Sequence, residues 1–397
     1  MNFFFFYKRI SDLDHLTPII FCLIKNKIDT KNIFVFNLEP DKTLLDLHQD
    51  PRVNFLRSLG LNIEVSTLKQ FYLKSLEKVI NPSRFNLPLK LIRRLFYLKV
   101  LQGFLRKIFI LRLRSKLKVI NFFKNDLFIL DHSTSSSHLE VIRIAKRKKL
   151  KIVSVPHGLI THEGLLKNEH NKMLFKENKL MNEFDKVIFS NDAELKRSQI
   201  DEEKRLVLGS ARFSREWHEQ LKSIYKSVNI RKEHKINILL LAEKDGRQIG
   251  DQFIPDIYPE KITEVVDLLS SDKDVNLIIK HHPSRTGQFG TDDYGPYSCK
   301  NAIHIFKDSK ASTFQLTQES DLILTTFSSA AIDAFLLKKR VLVLEFASPY
   351  KLVYRRFPGI KKISNIEDLI EIISNLEISN LDDYSLNYRE FIDEFVE

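Results

Sequence analysis

A histidine at a predicted strand end is the first residue whose position suits chemistry. His157 follows the apolar run Lys151–Pro156 and precedes Gly158, which lets the backbone turn sharply or approach a ligand closely. A neutral imidazole can take a proton from an acceptor hydroxyl near neutral pH. The sequence therefore predicts His157 as a catalytic base, with Gly158 beside the acceptor. A histidine that packs in an ordinary turn is the alternative.

A second group follows the apolar run Val275–Lys280 and combines a cation, two imidazoles and a proline. Neighbouring strand residues point to opposite faces, so His281 and His282 should not share a role, and His282 is predicted to face the ligand. Hydrogen-bond donors and cations at a strand end suit the diphosphate of a sugar donor, whose negative charge grows as the sugar departs. The predicted members are the catalytic His282 with the donor-binding residues Lys280, Pro283 and Arg285. A pair of surface histidines is the alternative.

A hydroxyl-rich turn forms the third group, between a predicted strand Leu322–Thr325 and a predicted helix Ser329–Leu337. Backbone N–H groups at the start of a helix, together with nearby hydroxyls, can hold a phosphate. The residues of this turn and of the helix after it that are predicted to bind the donor are Thr326, Ser328, Ser329 and Asp333. Helix capping without any ligand is the alternative.

Five weaker candidate residues lie at or after the ends of predicted strands. Lys244 and Arg247 come after the run Ile236–Leu241 and are predicted to bind the donor, unless they are solvated loop charges. Asp131, His132 and Arg212 are predicted, with Gly158, to line the acceptor side or the cleft. Helix capping and a purely structural role are the alternatives for these residues.

Several motifs are missing, and their absence narrows the function. The sequence contains no GxxxxGK[ST], no GxGxxG and no GxSxG, which argues against P-loop NTPases, standard dinucleotide-binding enzymes and α/β-hydrolases. The two cysteines, Cys22 and Cys299, form no CxxC or Cys/His cluster with zinc-ligand spacing. We therefore expect metal-independent chemistry that uses no cofactor.

Short apolar runs alternate with helical stretches along the chain, which indicates βαβ units and mainly parallel sheets. The sequence predicts an α/β protein of two domains, 1–230 and 231–397, with a strand and then a helix at its start. Residues His162–Glu183, Asp251–Tyr258 and Pro283–Tyr297 read as loops, and Tyr388–Val396 reads as a terminal helix. The predicted strands are Asn2–Tyr7, Ile33–Asn37, Asn62–Ser66, Leu127–Asp131, Lys151–Pro156, Lys186–Ser190, Arg205–Leu208, Ile236–Leu241, Val275–Lys280, Ala302–Ile305, Leu322–Thr325 and Arg340–Glu345, and the other predicted helices are Arg215–Ser227, Pro259–Leu269 and Ile366–Ser374.

The positive charge is concentrated in one segment. The net charge is +12, and residues 84–124 contain no acid but carry Arg84, Lys90, Arg93, Arg94, Lys99, Arg106, Lys107, Arg112, Arg114, Lys116, Lys118 and Lys124. Aliphatic and aromatic residues at three- and four-residue steps lie between these bases, as in a basic amphipathic helix. Such a helix can bind an anionic membrane surface, pack on a core with a solvated outer face, or contact nucleic acid. Nucleic acid is not expected, since no recognised binding motif accompanies the bases.

These motifs resemble those of the GT-B transferases of bacterial surface polysaccharides. The group includes the CDP-glycerol glycerophosphotransferases, the capsule polysaccharide transferases and the bacterial sialyl- and Kdo-transferases with "HP" and "SS" motifs. The resemblance covers residues 127–350. It rests on His157-Gly158, His282-Pro283, Ser328-Ser329 with Asp333, and the turn Gly209-Ser210-Ala211-Arg212-Phe213 with Glu216-Trp217.

The resemblance implies a GT-B-like protein of two Rossmann-like domains that face a central cleft. In that group the C-terminal domain holds the nucleotide, so His282, Ser328 and Ser329 would bind the donor phosphate and His157 would act from the N-terminal side. Two positions depart from the glycerol-phosphate transferases: Phe327 stands in the hydroxyl-rich turn, and Pro156 precedes His157. The donor nucleotide, whether CMP-, CDP-, UDP- or GDP-linked, stays open.

Three functional hypotheses follow. The first is transfer of a sugar or polyol phosphate from a nucleotide donor to a polysaccharide or lipid-linked acceptor. The second is a sugar-nucleotide epimerase of similar fold, and the third is a non-catalytic subunit that binds a membrane or partner through residues 84–124. The sparse cysteines and the lack of an export signal or a ~20-residue apolar span predict a cytoplasmic protein, peripheral at the inner membrane face if residues 84–124 bind lipid.

Overall fold

The protein is described here from a computed structural model. The structure describes residues 1–8, 10–38, 50–63, 111, 115, 117, 120–132, 136–156, 162–165, 181–191, 194–195, 198, 200–232, 235–243, 246–249, 252–255, 257–282, 295–306, 311–352 and 360–375. By its internal contacts the chain forms two units. The N-terminal unit comprises 1–157, 176–189 and 199–207, and the C-terminal unit comprises 158–175, 190–198 and 208–397.

The strands are β1 (Phe3–Tyr7), β2 (Ile33–Asn37), β3 (Leu127–Asp131), β4 (Lys151–Val155), β5 (His162–Leu165), β6 (Lys186–Phe189), β7 (Arg205–Val207), β8 (Ile236–Leu241), β9 (Gly246–Ile249), β10 (Gln252–Pro255), β11 (Val275–Lys280), β12 (Ile303–Ile305), β13 (Leu322–Thr325), β14 (Arg340–Leu344), β15 (Tyr350–Leu352) and β16 (Ile360–Ile363). The α-helices are α1 (Leu13–Lys25), α2 (Pro51–Ser58), α3 (Ser136–Arg147), α4 (Arg215–Ile224), α5 (Pro259–Ser271), α6 (Thr313–Glu319), α7 (Ala330–Leu336) and α8 (Ile366–Ser374).

The N-terminal unit contains a parallel sheet of order β2-β1-β3-β4-β6-β7. All five residues of β1 are buried, as expected for a strand with both faces covered. Aromatic rings fill one side of this sheet: the ring of Phe4 stacks on that of Phe34 at 4.8 Å, and Phe6 lies 4.8 Å from Phe128. The order of the strands along the chain reverses between β1 and β3, so a crevice is expected outside their carboxyl ends.

The C-terminal unit contains a second parallel sheet, of order β12-β11-β8-β13-β14-β16. Counted along the chain, these six strands stand in the order 3-2-1-4-5-6 of the dinucleotide-binding folds. The reversal lies between β8 and β13. In open sheets of this kind, ligands bind outside the carboxyl ends of the strands at that reversal.

A buried amide cluster holds the opposite, amino end of the C-terminal sheet. The Asn237 side-chain oxygen accepts hydrogen bonds from Asn276 Nδ2 at 2.7 Å and from the Lys232 N–H at 2.9 Å. The backbone N–H of Asn237 donates to the Asp321 carboxylate, which also pairs with Arg231 at 2.9 Å. The cluster therefore ties the starts of β8, β11 and β13 together, far from the end where ligands are expected.

The structure confirms the alternating α/β pattern and the two mainly parallel sheets. The predicted bounds of β8, β11, β13 and α8 agree with those observed. Of the predicted strand Asn62–Ser66, the described part shows a parallel bridge between Val35 and Ile63. Segments 158–175, 190–198 and 208–230 group with the C-terminal unit, which differs from a single boundary after residue 230.

Two expected loops contain strands. Gln252–Pro255 pairs antiparallel with Gly246–Ile249, so residues 251–258 are in part a hairpin arm. His162–Leu165 pairs antiparallel with Tyr350–Leu352 in a separate two-stranded sheet, since the chain leaves the first sheet here and joins the other unit. The sequence also missed β16, whose apolar residues are only its two ends, as suits an edge strand.

Much of the basic segment 84–124 lies outside the described residues, and so does the predicted terminal helix 388–396. Within the described residues, no helix is both long enough and apolar enough to cross a membrane. Membrane contact by residues 84–124 stays a prediction.

Candidate functional site

The candidate site lies at one end of the C-terminal sheet. We call residues 241–243, 280–282 and 325–329 the carboxyl edge. Lys280 and Thr325 both lie in register with Leu241 of the central strand β8, so the three strands end at the same level. The residues that follow these strands consequently share one edge, at the reversal of strand order where a ligand is expected.

The turn after β13 is held by its own hydroxyls. The N–H of Ser328 donates to Thr325 Oγ1 at 3.1 Å, and the N–H of Ala330 donates to Ser328 Oγ at 3.4 Å. Ser329 is half-buried and makes no capping hydrogen bond. Helix α7 has only seven residues, so the expected helix-end contribution to phosphate binding is weaker than the sequence suggested, and the hydroxyls are the stronger feature.

Thr326 is the most informative residue of this turn. The residue is 2% exposed, and within the described part of the chain its Oγ1 has no hydrogen-bond partner. A buried hydroxyl without a partner costs on the order of 1–3 kcal/mol, so such groups usually mark a bound water or a ligand. The Thr326 hydroxyl is therefore a candidate donor to a ligand at the carboxyl edge.

The two histidines after β11 differ in exposure. His281 is 1% exposed and its N–H continues the strand by donating to the Ile305 carbonyl at 2.9 Å, whereas His282 is half-buried. The Lys280 ammonium donates to the Phe306 carbonyl at 3.0 Å and so helps to fasten β11 to the end of β12. This arrangement leaves His282 as the more accessible imidazole of the carboxyl edge.

A cluster of rings surrounds the buried His281. Its Nε2 lies 3.0 Å from His304 Nδ1, and His304 Nε2 lies 2.8 Å from the Cys299 carbonyl oxygen. The His281 ring stacks on Phe306 at 4.3 Å and meets the edge of Tyr297 at 6.0 Å. The sequence did not single out His304, because it lies 23 residues from His281 and belongs to no local motif.

The end of β8 is tied to the same cluster. The buried Glu243 donates its backbone N–H to the Tyr297 hydroxyl at 3.1 Å. Lys244 lies outside the described residues, and of Arg247 only the backbone, in β9, is described. Their predicted contacts with the donor remain predictions.

Asp333 and Arg212 form a buried ion pair within the C-terminal unit. The Arg212 guanidinium donates to Asp333 Oδ2, and His218 Nε2 lies 3.3 Å from Asp333 Oδ1. Burial alone would raise the pKa of Asp333, but the charge of Arg212 and the hydrogen bond with His218 outweigh it and lower that pKa below its usual value. The Asp333 carboxylate thus holds α7 against residues 211–218. This favours a structural role for Asp333 and Arg212 over their predicted contacts with the donor and the cleft.

Asp131 and His132 lie at the reversal of strand order in the N-terminal unit. Asp131 Oδ1 lies 2.9 Å from His138 Nε2, and both side chains are 1% exposed. His132 Nε2 lies 2.9 Å from the Ile188 carbonyl oxygen and its ring meets Phe189 edge-on at 5.9 Å. Asp131 and His132, which were predicted to line the acceptor side, therefore make contacts within their own unit. The sequence did not single out His138, although it lies in the first turn of α3.

The remaining predicted site residues, His157, Gly158, Pro283 and Arg285, lie outside the described residues. No group of three or more His, Cys, Asp or Glu side chains that could hold a metal ion occurs in the described ranges. Metal-independent chemistry and the absence of a further cofactor remain expectations from the sequence.

No protein-family model matches the chain, and no curated protein matches it. Among solved structures it is similar to a putative UDP-N-acetylglucosamine 2-epimerase from Listeria monocytogenes, with a TM-score of 0.57 and 11% identity over 100% of this chain and 93% of that one. It is also similar to the UDP-GlcNAc 2-epimerase of Methanocaldococcus jannaschii in complex with UDP-GlcNAc and UDP, with a TM-score of 0.54 and 16% identity over 95% and 94% of the two chains. The wall teichoic acid polymerase TagF matches 68% of this chain with a TM-score of 0.41, too low to support an assignment.

At these identities the comparisons establish the fold alone. The chain has an α/β, GT-B-like fold with two Rossmann-like domains, as predicted. The expectation that the domains face a central cleft stays a prediction.

Proposed function

We propose that this chain is an enzyme that binds a nucleotide-activated sugar at the carboxyl edge of its C-terminal sheet. One observation carries the proposal: the buried Thr326 hydroxyl directly follows β13 at the reversal of strand order, with no hydrogen-bond partner among the described residues. A phosphate oxygen is a suitable acceptor for such a donor, and the neighbouring Ser328 and Ser329 carry two further half-buried hydroxyls.

The spacing of the strands favours an extended ligand. β8 separates β11 from β13, so the ends that carry His282 and Thr326 are about 10 Å apart at ~4.8 Å per strand. A diphosphate with an attached ribose and sugar can span this distance. In this arrangement His282 would donate to the diphosphate and stabilise the charge that develops when the bond between sugar and phosphate weakens.

Of the predicted reactions, we favour epimerisation of a sugar nucleotide. Its support is analogy of fold, since two structures described as UDP-GlcNAc 2-epimerases match nearly the whole chain. Transfer of the sugar to a polysaccharide or lipid-linked acceptor is the second candidate. The His282-Pro283 and Ser328-Ser329 motifs, which resemble those of surface-polysaccharide transferases, favour it.

Nucleotide binding is tested first, by thermal shift with UDP, CDP, GDP and CMP, because a ligand of the folded state raises its stability. Thr326→Val removes the hydroxyl with little change in shape. It should leave stability unchanged or higher yet weaken binding by tenfold or more, since a hydrogen bond to a charged group contributes about 1.5–3 kcal/mol. The matched control is Thr17→Val, because Thr17 is also buried without a hydrogen-bond partner in the described residues but lies in α1 of the other unit.

The reaction is tested by NMR of UDP-GlcNAc incubated with the protein alone. Appearance of an isomerised sugar nucleotide supports epimerisation, and nucleotide release that needs an added acceptor supports transfer. His282→Ala should greatly reduce either activity while the protein stays folded. If no nucleotide binds, or if Thr326→Val binds as tightly as wild type, the proposed site is wrong.

A further inference from the structure

We propose that His281 and His304 form a pair of neutral imidazoles in one fixed tautomeric order, and that this pair positions His282 for the ligand. The proposal rests on the proposed function of the carboxyl edge. The geometric basis is the chain of contacts that runs from the Cys299 carbonyl through His304 to His281.

The tautomers follow from the chemistry of the partners. A carbonyl oxygen only accepts, so His304 Nε2 carries the proton that it donates to Cys299. Neutral His304 then has Nδ1 as an acceptor, and His281 Nε2 must carry the proton of the 3.0 Å bond between the rings. Both rings are therefore Nε2–H tautomers, and His281 Nδ1 is left as an acceptor. A second proton on His304 would force His281 into its Nδ1–H tautomer, because two N–H donors cannot share the bond between the rings.

Packing prevents the pair from reorienting. His281 is stacked on Phe306 with an angle of 2° between the rings and meets the Tyr297 ring at 81°. His304 lies in β12, in register with Ile279 of β11. The bond between the rings therefore ties the last residues of β11 to both its neighbour strand and the Cys299 turn.

The fixed pair of His281 and His304 determines the position of His282, the next residue along the chain. The backbone N–H of His281 is already bonded to Ile305, and its side chain is fixed by the pair, so the peptide that leads to His282 has a defined direction. Two apolar side chains could fill the same space, but they would supply no directional bond at the strand end. His281 and His304 are thus positioning residues that act through His282.

The first test reads the tautomers directly. Protein labelled with ¹⁵N-histidine is examined by long-range ¹H–¹⁵N correlation at pH 7.5, and the signals are assigned with His281→Gln and His304→Gln. Nε2–H signals at both residues are expected. An Nδ1–H tautomer at either residue overturns the proposal.

The second test asks whether the pair acts through His282. UDP binding is measured by calorimetry well below the unfolding temperature for His282→Ala, His304→Phe and the double variant. His304→Phe keeps a ring but neither hydrogen bond, and it should weaken binding by about fivefold or more. The double variant should bind no more weakly than His282→Ala, because the pair has nothing left to position. His304→Gln retains one donor and one acceptor and should bind nearly as wild type does.

The outcomes separate this proposal from the proposed function. If wild type binds no UDP or other tested nucleotide, the proposed function fails and positioning fails with it. If wild type binds and the losses from His282→Ala and His304→Phe simply multiply, the proposed function survives and the positioning role is wrong. Equal binding of His304→Phe and wild type also overturns it.

Discussion

Replacing Asp333 by Asn should destabilise the C-terminal unit strongly. The change keeps the shape of the side chain but removes the charge that the Arg212 guanidinium and His218 face. Removal of one partner from a buried ion pair typically costs 3–5 kcal/mol, since the other charge stays buried without compensation. The Arg212 side chain is 18% exposed and can recover some hydration, so we expect about 3 kcal/mol.

The assay uses the single tryptophan of the chain. Trp217 is 1% exposed and lies in α4, next to His218, so its fluorescence reports unfolding of the C-terminal unit. If the free energy of unfolding falls by about 3 kcal/mol per M urea, a destabilisation of about 3 kcal/mol lowers the midpoint of urea unfolding by about 1 M. The double variant Asp333→Leu/Arg212→Met should recover part of this loss.

An exposed ion pair within α4 provides the control. Lys222 and Glu219 are 2.9 Å apart and largely exposed, so Lys222→Ala should shift the free energy of unfolding by less than about 1 kcal/mol. If Asp333→Asn shifts the midpoint no more than Lys222→Ala does, the buried pair does not hold α7 and the reasoning is refuted.

The remaining predictions concern pH, the amino end of the C-terminal sheet and the first sheet. The folded pKa of Asp333 is lowered, so its contribution to stability is complete above its unfolded pKa of about 4 and is lost as the pH falls through the folded value. Urea midpoints of wild type should therefore fall below about pH 4 more steeply than those of Asp333→Asn, and equal slopes would contradict the assignment. Asn237→Ala removes the oxygen that accepts from both Asn276 Nδ2 and the Lys232 N–H, and it should cost about 2–4 kcal/mol by the Trp217 assay. UDP affinity should stay unchanged because the cluster lies at the far end of the strands. Phe4→Ala removes a fully buried ring that stacks in the first sheet and should cost about 3–5 kcal/mol by far-UV circular dichroism, and a loss below 1 kcal/mol would show that the ring cluster repacks.

The sequence predicted the strands whose apolar runs are strong and local. Ile236–Leu241 and Val275–Lys280 are buried along most of their length and are followed by polar turns, so their bounds and the residues at their ends could be read from the chain. The hairpin 246–255 was missed because Gly246 and Pro255 at its ends are typical of loops.

The sequence did not predict the contacts between residues that lie far apart along the chain. Arg212 and Asp333 are 121 residues apart, and each alone looked like a ligand-binding residue next to a motif. Their pairing depends on how the turn 209–213 packs on α7, which no local pattern encodes. His304 was missed for the same reason, although His281 was noticed, since only the register of β12 on β11 brings the two rings together.

Because segments of the two units alternate along the chain, the protein cannot be divided into its units by a single cut in the sequence. Residues 162–165 contribute β5 to the C-terminal unit, where they pair with β15, before the chain returns to complete the first sheet with β6 and β7. A fragment that starts at residue 208 would leave the backbone groups of β15 without this neighbour, and an exposed strand edge invites association between copies. Separate expression of the halves should therefore give an aggregation-prone C-terminal piece unless the 158–175 peptide is supplied in trans.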